Sequence, residues 1–166
     1  MNLDDALKGR RSIRRFEKKA VPKKILDEIV DAVKYVPTAH NLQDYEIYVL
    51  TDEKKIADVA HHCLDQEHVK EAPVLFIVCG DVEKDKTARA PMFACQGASM
   101  AAYVIELKAY ELGLGSCWVG LFHEGPIRDI LGVPFRICPM AVIPVGYAAE
   151  KPKMPKRHTD YVHFVE

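Results

Sequence analysis

Residues 74–79, Val74-Leu75-Phe76-Ile77-Val78-Cys79, form an unbroken apolar run between Pro73 and Gly80. A strand with one wet face alternates apolar and polar residues, so a run without alternation predicts a strand buried on both faces. Each face then needs a cover, and the flanking sequence supplies helices. Upstream, Pro22 opens an amphipathic pattern with Ile25, Leu26, Ile29, Val30 and Val33 on one face, ended by Pro37. Tyr45–Leu50 reads as a second strand. Asp52 then caps a helix with the stripe Ile56, Val59, Ala60, Cys63 and Leu64. Downstream, residues 81–89 are charged and read as an exposed connection. Residues 96–112 carry the longest helical pattern, apolar nearly all round and stopped by Gly113. Such a helix belongs at the centre of a domain or against a partner subunit.

The ends of the chain are read in the same way. Residues 3–8 predict a short helix with Asn2 as N-cap and Gly9 as stop, residues 117–119 a short strand, residues 126–131 a helix closed by Gly132, and residues 140–146 a last core strand. From Lys151 onward Pro152 and Pro155 preclude a regular helix, which predicts a tail running extended over a surface. Helices and strands alternate without a strict βαβ rhythm. The reading is an α+β fold in one domain, residues 1–166, with a central sheet flanked by helices.

Composition limits the function. The chain has 166 residues and a net charge of -1, so it offers no overall basic field to nucleic acid or an anionic membrane. No apolar run reaches the roughly 20 residues of a membrane helix. The start of the chain has acids before its bases and no apolar core, unlike a signal peptide. Cys63, Cys79, Cys95, Cys117 and Cys138 are odd in number and widely spaced, which predicts free thiols and a cytoplasmic location. Neither the cysteines nor the histidines have ligand spacing, so no metal site is expected.

Three constellations could carry chemistry. Arg10-Arg11-Ser12-Ile13-Arg14-Arg15 concentrates four guanidinium groups and a hydroxyl. Such a cluster can grip a phosphate through charge-assisted bidentate hydrogen bonds, or be a solvated basic face. Ile13 and Phe16 look like core anchors that would fix the arginines' direction. Pro37-Thr38-Ala39-His40-Asn41-Leu42-Gln43 offers amide donors and acceptors suited to the edge of a heterocycle, although the same residues make ordinary turns. Gly113-Leu114-Gly115-Ser116-Cys117-Trp118-Val119-Gly120 lacks dinucleotide-fingerprint spacing and follows a helix, so its glycines would admit a flat ligand or simply turn the chain. Cys117 with His123 is a weak nucleophile pair.

Taken in this order, the constellations resemble the FMN-dependent nitroreductase family. Arg10, Arg11, Ser12, Arg14 and Phe16 match its RRSxRxF opening. Pro37, Thr38, Asn41 and Gln43 match a P-[ST]-x-x-N-x-Q loop, and the segment through Trp118 and Gly120 is similar to its GLGxxWxG run. Gly146-Tyr147 and the basic tail resemble its closing strand. The resemblance implies a central, mostly antiparallel sheet in an intertwined homodimer, with FMN at the interface. Arg10, Ser12 and Arg14 would hold the phosphate and ribityl chain, with Arg11 adding backbone or charge. Thr38, Ala39 and Asn41 would line the flavin ring, Trp118, Val119 and Gly120 would lie near its N5, and Lys156 or Arg157 would reach the phosphate. The implied activity is ping-pong, two-electron reduction of nitroaromatics, quinones or similar small oxidants by NAD(P)H. Flavin N5 would carry the chemistry, with no catalytic side chain named. Asp44-Tyr45 stands where the family commonly has Pro-Trp, and His40 where it has a small residue. Two other readings remain: a flavin-binding protein with little turnover, and a nucleic-acid-binding module using residues 10–15.

Overall fold

The computed structural model describes residues 2–165. The apolar run is strand β2 (Val74–Asp81), buried along its whole length. It lies second in a sheet ordered β1 (Tyr45–Leu50), β2, β4 (Ile137–Gly146) and β3 (Gly115–Ser116), with every pairing antiparallel. Successive β2 side chains point to opposite faces, so one strand serves two cores. Val74, Phe76 and Val78 pack with Ile29 and Val33 of α2 (Lys23–Val33) and with Ala98, Ala102 and Ile105 of α5 (Ala90–Glu111). Leu75, Ile77 and Cys79 pack with Val59 of α3 (Glu53–His62), Val69 of α4 (Glu67–Glu71) and Ile127 of α6 (Glu124–Leu131). Helix α1 (Leu3–Gly9) lies against α5. Its capping box joins the Asp5 amide to the Asn2 side chain at 2.9 Å and the Asn2 amide to the Asp5 carboxylate at 3.2 Å.

The structure moves several expected boundaries, each for a local reason. Helix α5 begins at Ala90, earlier than residue 96, because Pro91 sits in the first turn where a missing amide hydrogen breaks nothing. The connection expected at 81–89 holds over residues 82–89 and loses only its first residue to β2. That residue, Asp81, is the buried end of β2 and pairs with Arg136. Strand β4 starts at Ile137, not 140; Pro139 lies beside a break in the β2 register at Val78/Cys79. Proline is tolerated at such a bulge. Pro144 also fits, because its carbonyl accepts from Cys117 at 3.3 Å on the side where the next strand is only two residues long. The short strand expected at 117–119 is β3 at Gly115–Ser116, with Val119 adding an isolated bridge to Val142. Helix α4 was hidden by its shortness. The tail from Lys151 to Val165 forms no helix and is exposed throughout. No helix among the described residues is long and apolar enough to cross a membrane.

Candidate functional site

The first constellation is an extended arm laid along the β3 end of the sheet. The Ile13 amide donates to the Ser116 carbonyl at 2.8 Å, and Ser12 bridges Ser116 in parallel. Further on, the Glu17 amide donates to the Tyr147 carbonyl and the Ala149 amide to the Arg15 carbonyl, both at 2.9 Å. Ile13 and Phe16 are buried in the second core, as the sequence predicts, and they fix the arm's direction. Two facing glycines let the arm come this close. Gly115 and Gly146 are paired across β3 and β4. A Cβ on Gly115 would lie 2.6 Å from Ile13 Cγ1, and one on Gly146 would lie 3.1 Å from Phe16 Cδ1.

The arm's side chains divide into distinct roles. Arg10 is 17% exposed, and its Nη1 lies 3.5 Å from Oε1 of Glu106. Arg11 turns its guanidinium onto the Lys8 and Arg10 carbonyls at 2.6 and 2.7 Å, closing the C-terminal end of α1. Its side chain is spent on structure more than the RRSxRxF resemblance implies. Arg14 is exposed, and its amide donates to Glu150 Oε1 at 2.5 Å. Beside the arm opens a cavity of about 340 Å³. Arg10, Arg11 and Lys151 bring three cations to its wall, opposed by Glu150 there and Glu106 behind Arg10. The floor is Gly113, Leu114, Gly115 and Ser116. Gly113 adopts φ +79 and has no atom within 4 Å of where a Cβ would stand. Three cations against two carboxylates leave this wall with a net positive charge beside a lining that includes two glycines and a serine, and guanidinium and ammonium groups are ordinary partners of an anion.

The second constellation is a strained turn. His40, Asn41 and Gln43 all have positive φ, at 51, 56 and 49. Non-glycine residues in that region cost on the order of 1–3 kcal/mol each, and such strain gathers at functional sites. The turn is held by the Thr38 hydroxyl, which accepts from the Gln43 amide at 2.9 Å, and by the Asn41 amide donating to the Thr38 carbonyl at 3.0 Å. Thr38 and Ala39 are half-buried and Asn41 is exposed. Thr38 and Asp44 abut Gly97, whereas Arg10 meets Glu106 of the same helix. From Gly97 to Glu106 the α5 axis advances about 14 Å at roughly 1.5 Å per residue. One chain therefore keeps the arginine arm and the turn apart.

Trp118 is 37% exposed and Val119 buried, with the Val119 amide donating to the Val142 carbonyl at 2.9 Å; Gly120 is exposed. Lys156 and Arg157 are exposed and make no ion pair among the described residues, so within one chain they do not join the arm. Cys117 is 2% exposed, and burial pushes its thiol up despite the opposing pull of Arg14 and Ser12. A buried thiol held neutral is a poor nucleophile. No hydrogen bond among the described residues joins it to His123, whose amide donates to the His62 carbonyl. No group of three or more His, Cys, Asp and Glu among the described residues could hold a metal ion.

Two buried acids stand near these constellations; the sequence reading missed Glu106 and saw Asp44 only as a departure from the resemblance. Glu106 has a side chain 5% exposed, accepts the Ser116 hydroxyl at 3.2 Å, and faces Arg10. Burial raises its carboxyl above the usual carboxylate range, with Arg10 and Ser116 pulling the other way. The signal was present as a lone acid within an apolar helical run. Asp44 is 1% exposed, and neither carboxylate oxygen has a hydrogen-bond partner among the described residues. A buried carboxylate without donors is destabilising. Asp44→Asn is expected to raise stability by about 1–3 kcal/mol. Urea unfolding of the two proteins measures this, and a lower midpoint for the variant would refute it.

The fold and site define an α+β protein with an arginine-rich arm beside a cavity whose lining includes Gly113 and Gly115. The model of the Nitroreductase family matches residues 7–71 and 58–147, and the chain belongs to that family. It is 33% identical to a Thermus thermophilus protein named NADH dehydrogenase, across 86% of this chain and 84% of that one. It is 23% identical to the Bacillus subtilis FMN reductase [NAD(P)H], across 94% of this chain and 71% of that one. The structure of an FMN-dependent nitroreductase from Clostridium difficile superposes with a TM-score of 0.89 at 30% identity, covering 99% of both chains. The membership makes the chain an oxidoreductase of the nitroreductase type.

Proposed function

We propose that the chain binds FMN and uses it to pass electrons from NADH or NADPH to a small oxidant such as a nitroaromatic or a quinone, by ping-pong turnover. The observation that carries this reading is the mostly buried Arg10 guanidinium on the wall of a cavity whose floor is Gly113 to Ser116. The residues fit the cofactor's chemistry. Arg10, Ser12 and Arg14 would take the phosphate and ribityl hydroxyls, Arg11 would add charge, and the glycine floor would admit a flat ring. Thr38, Ala39 and Asn41 would line the flavin ring, with Trp118, Val119 and Gly120 near its N5.

The 14 Å or so between arm and turn within one chain, by the rise of an α-helix, favours a site completed by a second copy in a homodimer. Met92, Met100 and Tyr103 of α5 are exposed apolar groups that such a partner would cover. Lys156 or Arg157 of the exposed tail would then reach the phosphate. The same assembly would be a cytoplasmic protein of one domain per chain. Bound flavin supplies reversible hydride chemistry; the protein's task is to anchor the phosphate, shape the slot and exclude water from it. No side-chain acid or base is assigned. A nucleic-acid role fits less well, because Arg10 and Arg11 are turned onto Glu106 and backbone carbonyls and leave only Arg14 and Arg15 as outward cations.

The test is the visible spectrum of protein equilibrated with FMN and desalted, before and after anaerobic NADH or NADPH. A retained flavin band that bleaches is the expected result, and the faster nucleotide names the donor. A retained band that stays oxidised would leave a flavin-binding protein with little turnover. A colourless protein would overturn the proposal.

A further inference from the structure

Glu106 is an acid where packing calls for an apolar residue. Its helical neighbours on the same face, Ala102 and Ala109, are wholly buried, and its side chain is 5% exposed. Its polar contacts are with Arg10 at 3.5 Å and the Ser116 hydroxyl at 3.2 Å, and both residues line the cavity beside the arm. Glu106 itself is buried and is not part of the cavity lining, so its carboxylate meets the arginine from the protein interior.

We propose that Glu106 is a positioning residue that holds the inner edge of the Arg10 guanidinium and, by cancelling part of its charge, keeps the grip on a ligand's phosphate weak enough for FMN to exchange. The inference rests on the FMN reading above. A guanidinium presents five N–H donors in a rigid plane, so one edge can face a carboxylate while another faces a phosphate. Geometry thus permits both anions at once, but electrostatics opposes it. A carboxylate and a phosphate on opposite sides of one guanidinium repel each other, and their separation is too short for salt to screen. Ser116 strengthens the arrangement by donating to the same Glu106 oxygen, which keeps the carboxylate turned toward Arg10.

The test compares FMN with riboflavin, which has the same ring and ribityl chain without the phosphate. Dissociation constants are read from quenching of flavin fluorescence for the wild-type protein, Glu106→Gln and Glu106→Met. Gln preserves length and the acceptor oxygen; Met preserves length alone, and thermal melts report whether each variant is folded. Both variants are expected to bind FMN about tenfold more tightly, or better, with slower release, while riboflavin moves by no more than about twofold. Unchanged or weaker FMN binding in folded variants would overturn the inference, as would equal shifts for both flavins, which would indicate a general change of pocket shape. Failure of the wild-type protein to bind FMN at all would instead overturn the cofactor reading on which the inference stands.

Discussion

Replacing Arg10 and Ser12 together by alanine is expected to weaken FMN binding by at least about a hundredfold while leaving riboflavin binding nearly intact. Each charge-assisted hydrogen bond to a phosphate contributes roughly 1.5–3 kcal/mol, and a factor of ten corresponds to about 1.4 kcal/mol. Arg10 is 17% exposed and already oriented, so little side-chain entropy remains to be lost when an anion arrives. Ser12 is held beside Ser116 by the parallel bridge, which fixes where its hydroxyl can reach. Arg11→Ala is the informative contrast. Its guanidinium closes α1 through the Lys8 and Arg10 carbonyls, so its loss should lower the melting temperature more than it lowers FMN affinity. Equilibrium dialysis with FMN and riboflavin measures the outcome. FMN retention in the double variant equal to that of the wild type would remove the arm from the phosphate site.

How much of this was legible in the sequence depended on the range of the interaction. The 74–79 run announced a strand buried on both faces because burial on both sides leaves no place for a polar residue, and β2 bears that out. The amphipathic stripe of α2 and the Asp52 cap of α3, whose side chain accepts from the Lys55 amide at 2.9 Å, are likewise local and were readable. The bulge around Pro139 was not readable, because it depends on which β2 residue lies opposite. The same holds for the start of α5: Pro91 reads as a break until its first-turn position is known.

The site divides along the same line. The arginine cluster, the 37–43 turn and the glycine-rich run were all found as residue types at short spacing. Their separation along α5 was not, since nothing in the sequence states that Gly97 lies by the turn and Glu106 by the arm. Nor could residue type reveal that the turn holds three left-handed residues, because asparagine, glutamine and histidine also occur in relaxed loops. Glu106 was passed over because acids are ordinarily solvated, Asp44 was noticed only as a departure from the resemblance, and only their burial gives them meaning.

Gly115→Val should couple the fold to the site more directly than any substitution of a ligand-facing residue. A Cβ at this position would stand 2.6 Å from Ile13 Cγ1, 2.9 Å from Ile13 Cβ and 3.0 Å from Ile13 Cγ2. One of these atoms is the Ile13 Cβ itself, so turning the isoleucine to another rotamer cannot relieve the clash. The arm would have to lift, breaking the 2.8 Å bond from the Ile13 amide to the Ser116 carbonyl, drawing Arg10 and Arg11 off the cavity wall and displacing Ser12 and Arg14 with them. Overpacking of this kind costs about 1–3 kcal/mol in stability. The larger effect is expected in FMN affinity, which should fall at least as far as in the Arg10 and Ser12 double variant, because the whole phosphate-facing set moves together. Gly125→Ala is the control. No atom lies within 4 Å of where its Cβ would stand, and alanine in helix α6 should be neutral or stabilising by about 0.5–1 kcal/mol. Thermal melts and FMN titration of the two variants decide the matter. If Gly115→Val unfolds at the wild-type temperature and binds FMN as the wild type does, the arm is not clamped at Gly115 and its arginines are directed by something else.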